Sequence, residues 1–271
     1  MKKLGVLGVA LLVAMGLALA AGPAAFASTA VHCPPTGTDD LQAAMNSAPA
    51  GSQILIYGTC TGNFTVPKDL TLVGENAVLD GNNSGTVLTV PAGVTAVVDY
   101  LTIQHGDAGQ GGGILNEGTL TLNSATVSNN NLAGGGDGAG IFNDHGTLTL
   151  RSSTVADNST QGGSGGGVFN NIGTINVVGS SISNNRASEG GGFFNEGTLT
   201  ISSSTVSGNV AFNGDGGGIL NEFSQLTLKS STVTGNSASM DGGGIWTLSP
   251  PPPTLRGTAI SGNSPDDCVG C

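Results

Sequence analysis

Charged and aromatic residues are scarce in this chain of 271 residues. Only 9% of the residues are charged and 4% are aromatic, whereas an ordinary soluble domain has about 25% charged residues. A typical helical enzyme is therefore not indicated. Cations are the rarer sign, because 7 Lys and Arg stand against 18 Asp and Glu and give a net charge of −11. Nucleic acids bind clustered basic residues, so we expect no nucleic-acid partner.

Long apolar runs are absent except at the N-terminus. A basic start and an apolar run over residues 4–21 precede Ala25-Phe26-Ala27, a small-x-small cleavage site. This order is typical of a secretory signal peptide, which we assign to residues 1–27, with a membrane anchor as the alternative. We expect a secreted, extracellular protein with no membrane span in the mature chain.

Cysteine is limited to four residues, which lie near the two ends of the predicted mature chain. In an oxidising compartment we expect disulfides between Cys33 and Cys60 and between Cys268 and Cys271, although four cysteines allow three pairings. The Cys-x-x-Cys spacing of the second pair also occurs in zinc and redox sites. Those sites need a second ligand pair or a βαβ context, and neither accompanies it.

Glycine, by contrast, is abundant at 47 residues, and much of it belongs to an internal repeat of 25–27 residues. Each copy begins with a Gly-Gly-Gly or Gly-Ala-Gly triplet and two apolar residues, followed by Asn in five of the six copies. An alternating segment such as Thr119-Leu120-Thr121-Leu122 comes next, and a Val/Ile-x-x-Asn segment completes the unit. The triplets begin at Gly111, Gly138, Gly165, Gly190, Gly216 and Gly242.

Three short β-type segments per repeat, with Gly- and Asn-rich turns and no helical segment between them, predict a coil of three strands. Stacked coils pair each strand in parallel with its equivalent in the next repeat, about 4.8 Å away. We therefore predict an all-β, right-handed parallel β-helix, a solenoid of about eight or nine coils, over residues 51–267. A propeller or sandwich is the alternative, but about 26 residues is too short for a four-stranded blade.

The two ends of the solenoid need caps, because open strand edges and apolar side chains would face water. Residues 28–50 form the predicted N-terminal cap, with a short amphipathic helix near residues 39–46. Residues 268–271, the second cysteine pair, form the predicted C-terminal cap.

Equivalent residues of stacked coils form columns. The alternation places one apolar column inward in the Thr-Leu-Thr-Leu segment and another in the Val/Ile-x-x-Asn segment, with the threonines outside. The recurrent asparagines are favourable at turns for two reasons. Asn tolerates a left-handed backbone, and stacked side-chain amides can form hydrogen bonds from one coil to the next. The expected inward columns are Leu120, Leu148, Ile175, Leu199 and Leu226, and Val127, Val155, Ile182, Val206, Val233 and Ile260.

The repeat resembles a known family. The motif Val206-Ser207-Gly208-Asn209 leading to Gly216-Gly217-Gly218-Ile219 is similar to the repeat of chlamydial polymorphic outer-membrane proteins. It is also similar to that of secreted right-handed β-helix proteins of the pectate-lyase-like superfamily. The resemblance covers about residues 33–271 and implies the fold, but that fold carries lyases, hydrolases, adhesins and spacers alike. Val or Ile stands where the polymorphic proteins usually have Phe, and no barrel segment follows Cys271, so an autotransported role is not implied.

Few residues are candidates for catalysis. A lyase needs a basic residue that abstracts a proton and usually acidic calcium ligands, whereas a hydrolase needs paired carboxylates. If the protein is an enzyme, the candidate catalytic residues are Arg151, Arg186, Asp144, His145 and Asp157. The repeat places Arg151 in one column with Lys229, about three rungs or roughly 14 Å away. The histidines share no register.

Two columns of carboxylates are expected at the turns. One follows the first Asn of each copy and the other precedes the glycines; their members are Glu117, Asp144, Glu196 and Glu222, and Asp137, Glu189, Asp215 and Asp241. The plain interpretation is that these are solvated turn residues. Calcium that bridges neighbouring carboxylates is the alternative, with Asp137, Asp144, Glu117, Asp215 and Asp241 as ligands. We expect no other cofactor.

An apolar column, Leu115, Phe142, Phe169, Phe194, Leu220 and Trp246, occupies the second apolar position of each copy. If the preceding residue points inward, this column is exposed and suits a sugar ring or a protein; a column covered by a loop is the alternative. Phe142, Phe169, Phe194 and Trp246 are the predicted binding residues. Regular outward threonines also resemble ice-binding β-helices, although Thr simply favours exposed strands.

These patterns favour a secreted, adhesin-like binding or surface-structural module without an evident catalytic site. Its expected partner is an extracellular polysaccharide or another cell-surface component. The alternative function is a polysaccharide lyase or glycoside hydrolase of the pectate-lyase-like superfamily.

Overall fold

The computed structural model describes residues 28–35, 37, 39–248 and 251–271. The predicted signal peptide, residues 1–27, lies outside the described residues. The described part is an all-β parallel solenoid of about nine coils with a single short helix near its N-terminal end. This architecture confirms the predicted solenoid, and it excludes a propeller or sandwich because every ladder between its strands is parallel.

The first coils are less regular than the repeat that follows, and their strands are longer. β1 pairs in parallel with β2, so residues 28–32 add a strand to the sheet. The elements are β1 Ser28–His32, α1 Leu41–Ser47, β2 Ser52–Thr61, β3 Phe64–Thr65, β4 Leu70–Asp80, β5 Leu88–Val90 and β6 Thr95–Gln104.

From residue 114 onward, each regular coil contains four strands, one more than the three predicted. They have three or four, five, three and two residues, and the two-residue strand is the additional one. These strands are β7 Ile114–Asn116, β8 Thr119–Asn123, β9 Thr126–Ser128, β10 Asn131–Leu132, β11 Ile141–Asp144, β12 Thr147–Arg151, β13 Thr154–Ala156, β14 Ser159–Thr160, β15 Val168–Asn171, β16 Thr174–Val178, β17 Ser181–Ser183, β18 Arg186–Ala187, β19 Phe193–Asn195, β20 Thr198–Ser202, β21 Thr205–Ser207, β22 Val210–Ala211, β23 Ile219–Glu222, β24 Gln225–Lys229, β25 Thr232–Thr234, β26 Ser237–Ala238, β27 Ile245–Leu248, β28 Thr254–Arg256, β29 Ala259–Ser261 and β30 Cys268–Val269.

Strand equivalents stack in three sheets. The largest has two arms, which diverge from β6: one runs from β8 to β28 and the other from β9 to β29. A second sheet runs from β3 to β30 and includes the strands that follow the glycine triplets, and a small third sheet runs from β10 to β26. The register repeats as predicted, since Leu148 pairs with Leu120 on one side and with Ile175 on the other.

The core is the interior of this coil. The two predicted inward columns are buried, and Ile260 in the last coil is half-buried. The residue after each triplet, such as Ile141 or Val168, is fully buried as well. Burial of apolar side chains, at about 25 cal/mol per Å², is the main stabilisation of a chain with so few charges.

Both asparagine columns form buried amide ladders. The Nδ2 of Asn143 donates to the Oδ1 of Asn170 over 2.8 Å, and the Nδ2 of Asn158 donates to the Oδ1 of Asn185 over 3.0 Å. The expected left-handed backbone, however, does not occur at the asparagines of either ladder. At the second ladder it occurs one residue earlier, at Asn184 for example, with φ near 56°, because the exposed corner residue makes the bend while the next residue turns its amide inward.

The predicted short helix is present near the N-terminal end. α1 begins after Asp40, whose side chain accepts a hydrogen bond from the Ala43 N–H over 3.0 Å. Its Leu41 and Met45 are buried against the first coil. The Cys33–Cys60 disulfide ties this segment to β2.

The C-terminal end carries the second predicted disulfide. Cys268 and Cys271 are bonded, and β30 pairs in parallel with β27. The side chain of Asp267 accepts from the Nδ2 of Asn263 and so ends the second amide ladder.

Candidate functional site

The predicted binding column of aromatic residues is buried, so the alternative of a covered column holds and the exposed binding column does not. Phe142, Phe169 and Phe194 are only 3%, 8% and 6% exposed. Their rings stack with centroids 5.1 and 4.7 Å apart, and Leu220 extends the cluster. Trp246 is half-buried at one end. The preceding residues do point inward, so the chain has a second apolar cluster outside the main core.

Glycine geometry accounts for this burial. The first residue of each triplet has a left-handed backbone, with φ of 66° at Gly165. A Cβ there would lie 2.9 Å from the Cα and Cβ of Phe169, so only glycine lets the turn pack against the base of the ring. Each inner ring is therefore covered by its own turn and by the rings of the neighbouring coils.

The two acidic columns lie where the repeat predicts. Asp137 pairs with Gln110 across the stack, and Asp241 N–H donates to the Asp215 carboxylate over 2.8 Å. In the other column, Asn171 donates to the Asp144 carboxylate over 2.7 Å. Several of these carboxylates thus accept hydrogen bonds from the next coil, which stabilises turns that like charges alone would destabilise.

Glu196 and Glu222 are the two carboxyl groups of that column whose pKa is raised. Partial burial, followed by the charges of Glu222 and Asp137, raises the pKa of Glu196. Partial burial, followed by the charge of Glu189, raises the pKa of Glu222. The turn at Glu196 is one residue shorter than its neighbours, and a cavity of about 260 Å³ lies there between Ile172 and Phe223.

The candidate calcium ligands are distributed along two columns and over several coils. Within the described residues, no three His, Cys, Asp or Glu side chains lie close enough together to hold a metal ion. Calcium binding stays a prediction.

The five candidate catalytic residues are not brought together in one cleft. Asp144 and His145 are sequence neighbours in one turn, with 2.6 Å between the carboxylate and Nδ1. Arg186 lies on the third sheet, with its guanidinium 4.0 Å from the centre of the Phe212 ring. Arg151 ends β12, and Asp157 occupies a left-handed corner after β13.

The predicted basic column is present along one edge of the largest sheet. The register links Arg151 through Val178 and Ser202 to Lys229, and Lys229 to Arg256. These cations form no ion pair with a carboxylate in the described part of the chain. Three of the five basic residues of the predicted mature chain therefore lie in one exposed column.

Sequence reasoning missed the most exposed tyrosine. Beside the basic column, the chain turns a corner at residues with positive φ, and these are mostly Ser or Gly, as at Ser124, Ser152 and Gly179. Tyr100 holds the equivalent position with φ of 58° and is 63% exposed. A bulky residue in this conformation is uncommon. A tyrosine at a corner position that is Ser or Gly in most other coils is the sequence signal that would have identified Tyr100.

A groove of about 590 Å³ lies against Tyr100. It arises from a bulge, since Val73 pairs with Asp99 and Ala77 with Leu101, which leaves three residues of β4 opposite Tyr100. Its lining consists of Gly74, Glu75, Asn76, Ala77, Val78, Tyr100, Thr102 and Ser124.

A second tyrosine lies beside the acidic residue of the groove, since Tyr57 pairs with Glu75 in the sheet. A hydrogen bond to the Glu75 carboxylate, with its negative charge and slight burial, raises the pKa of the Tyr57 hydroxyl. His32 stacks on the Tyr57 ring, with centroids 4.7 Å apart. The groove therefore combines a free aromatic face with a carboxylate, an amide and two hydroxyl groups.

These coils and sheets define a parallel β-solenoid protein. A family model described as "Right handed beta helix region" matches residues 75–263, so the chain belongs to this family and the predicted right-handed β-helix is confirmed. Comparison with curated proteins and with solved structures gives no match. In the described residues, no helix has both the length and the apolar character needed to cross a membrane.

Proposed function

We propose that this protein is a secreted, extracellular binding module that engages a neutral glycan through the groove at Tyr100. The observation that carries the proposal is the exposed Tyr100 ring beside polar groups of the groove. The C–H face of a sugar ring packs on an aromatic face, while its hydroxyls bond to nearby amide, hydroxyl and carboxylate groups. We therefore assign the proposed binding role to Tyr100 and no longer to the buried Phe column.

The charge near the groove favours a neutral sugar over a uronate. Glu75 lines the groove, and Asp99 precedes Tyr100 and accepts a hydrogen bond from Asn123 over 2.8 Å. A bound carboxylate would be repelled here. A pectate-lyase-like enzyme acts on such acidic sugars, so a preference for neutral glycans also separates the module from the alternative lyase.

The test is retention of the purified protein on a panel of neutral and acidic polysaccharides, with and without calcium. We expect retention on a neutral polymer, lost in Tyr100→Ala. Phe223→Ala is the matched control, because Phe223 is also an exposed ring, 72% exposed, on a left-handed backbone. Equal retention of Tyr100→Ala and the native protein would contradict the proposal.

Product release is measured on the same panel. New reducing or unsaturated ends that disappear in Arg151→Ala or Arg186→Ala would favour the lyase or hydrolase alternative. Retention without product supports a binding module.

A further inference from the structure

One face of the solenoid has oppositely charged edges. Over their first four residues, the strands β8, β12, β16, β20 and β24 present only uncharged polar side chains outward. These residues are Thr119, Thr121, Thr147, Thr149, Thr174, Asn176, Thr198, Thr200, Gln225 and Thr227. We call this the threonine face. In the described structure these side chains form no hydrogen bonds with the rest of the chain, so the face has no partner within the molecule.

An acidic edge precedes these strands and a basic edge ends them. Asp144 and Arg151 flank β12, and Glu222 and Lys229 flank β24. The two edges run along the solenoid axis, because strand equivalents stack in register. No charged side chain lies on the threonine face between them.

We propose that two copies of this chain dimerise through the threonine face, around a twofold axis parallel to the solenoid axis. Such an axis reverses the strand direction of the second copy, so the acidic edge of each copy meets the basic edge of the other. A twofold axis parallel to the strands would instead bring the acidic edges of the two copies together. Like-charge repulsion disfavours that arrangement. An isologous contact of this kind closes as a dimer.

The charges match coil by coil. A twofold axis parallel to the solenoid leaves each coil at its own height, so Arg151 faces Asp144 of the second copy and Lys229 faces Glu222 of the second copy. Each pair occurs twice. The remaining acids meet uncharged residues, since Glu117 and Glu196 face the strand ends at Asn123 and Ser202. No acid opposes an acid.

The proposed dimer contact is weak because its area is small. Five strands spaced about 4.8 Å apart and about 16 Å long give an area of about 400 Å² per copy, which is at the low end for protein interfaces. Exposed ion pairs are also screened by salt. We therefore expect a dimer that forms at high concentration and weakens at least about tenfold when NaCl rises from about 0.05 to 0.5 M.

Charge reversal tests the pairing. In Lys229→Glu two carboxylates face each other at each contact, and in Glu222→Lys two ammonium groups do, so neither variant should dimerise in sedimentation velocity. An equimolar mixture of the two restores opposite charges at both contacts and should form a heterodimer. Arg186→Glu changes the net charge as Lys229→Glu does, but on another sheet, and should dimerise like the native protein.

A monomeric native protein at millimolar concentration in low salt would overturn the proposal. So would a mixture that stays monomeric while both variants retain the native circular dichroism spectrum. Carbodiimide cross-linking of the native protein gives an independent measurement. We expect a bond between Lys229 and Glu222 of different copies, and intermolecular cross-links confined to other residues would contradict the twofold arrangement.

Discussion

At the scale of single residues, polar side chains are used differently according to their position in the coil. Asparagines that point inward find amide partners one coil away, as Asn158 and Asn185 do. Carboxylates at the turns have no such ladder and depend on one or two donors from neighbouring residues. Glu196 and Glu222 lack even these in the described structure, and they lie on successive coils. The charges of this pair therefore destabilise the stack of coils.

The substitution Glu196→Gln should stabilise the protein at neutral pH. Because the folded state raises the pKa of Glu196 above its unfolded value of 4.5, the folded chain binds more protons than the unfolded chain between the two values. Stability then falls as pH rises through this range, and the loss is complete above the folded pKa. Removing the carboxylate should increase the free energy of unfolding at pH 7 by less than about 1 kcal/mol, since solvent screens an exposed pair.

The measurement is urea unfolding of the native protein and Glu196→Gln at pH 7 and near pH 3.5. The gain should disappear at the lower pH, where both states hold the proton. Glu196→Asp keeps the charge and serves as the control, with a smaller gain or none. A gain that is equal at both pH values would show that the amide acts by packing and not by charge.

At the scale of elements, the strand after each triplet carries two apolar residues that point to opposite sides, and in the four inner copies both are buried. Phe193 lies in the main core while Phe194 lies in the aromatic column. The glycine turn covers the outer ring, so this strand has an apolar environment on both faces. The column therefore stabilises the turns of successive coils against each other.

Truncating the central ring tests this stabilising role. Phe169 stacks on both Phe142 and Phe194, so Phe169→Ala opens a cavity between two rings and should lower the free energy of unfolding by about 3–4 kcal/mol. Phe223→Ala removes an exposed ring and should change it by less than about 0.5 kcal/mol. Chemical denaturation followed by circular dichroism measures both. Similar values for the two variants would be inconsistent with a buried column.

The alignment of this column could be predicted from the sequence, but the choice between an exposed and a covered column could not. A period of two places Val168 and Phe169 on opposite faces of their strand, and it correctly makes Val168 inward. Whether the opposite face meets water depends on how the preceding glycines fold back, which no local pattern encodes. The same holds for Tyr100, because the groove beside it depends on a bulge in β4, which lies in the irregular coils before the repeat.

At the scale of the whole molecule, contacts between coils join nearest neighbours. Every strand ladder of the regular repeat joins one coil to the next, and both amide ladders and the aromatic column do the same. Stability of such a solenoid is close to a sum of coil and interface contributions. An interior coil can consequently pair with any other interior coil in the same register. By contrast, α1 and the two disulfides act only at the ends.

Deleting one complete interior coil should therefore preserve the fold. Removal of residues 193–218 joins Gly192 to Ile219 and places Asn221 under Asn170, Leu226 under Ile175 and Asn236 under Asn185, so each inward column and amide ladder continues. We expect a β-type circular dichroism spectrum and cooperative thermal unfolding, with a midpoint lowered by roughly 5 °C. Removal of only residues 193–205 is the control, because it joins Gly192 to a different strand and breaks every column. If the complete deletion were as unfolded as this control, the coils would depend on contacts beyond their nearest neighbours.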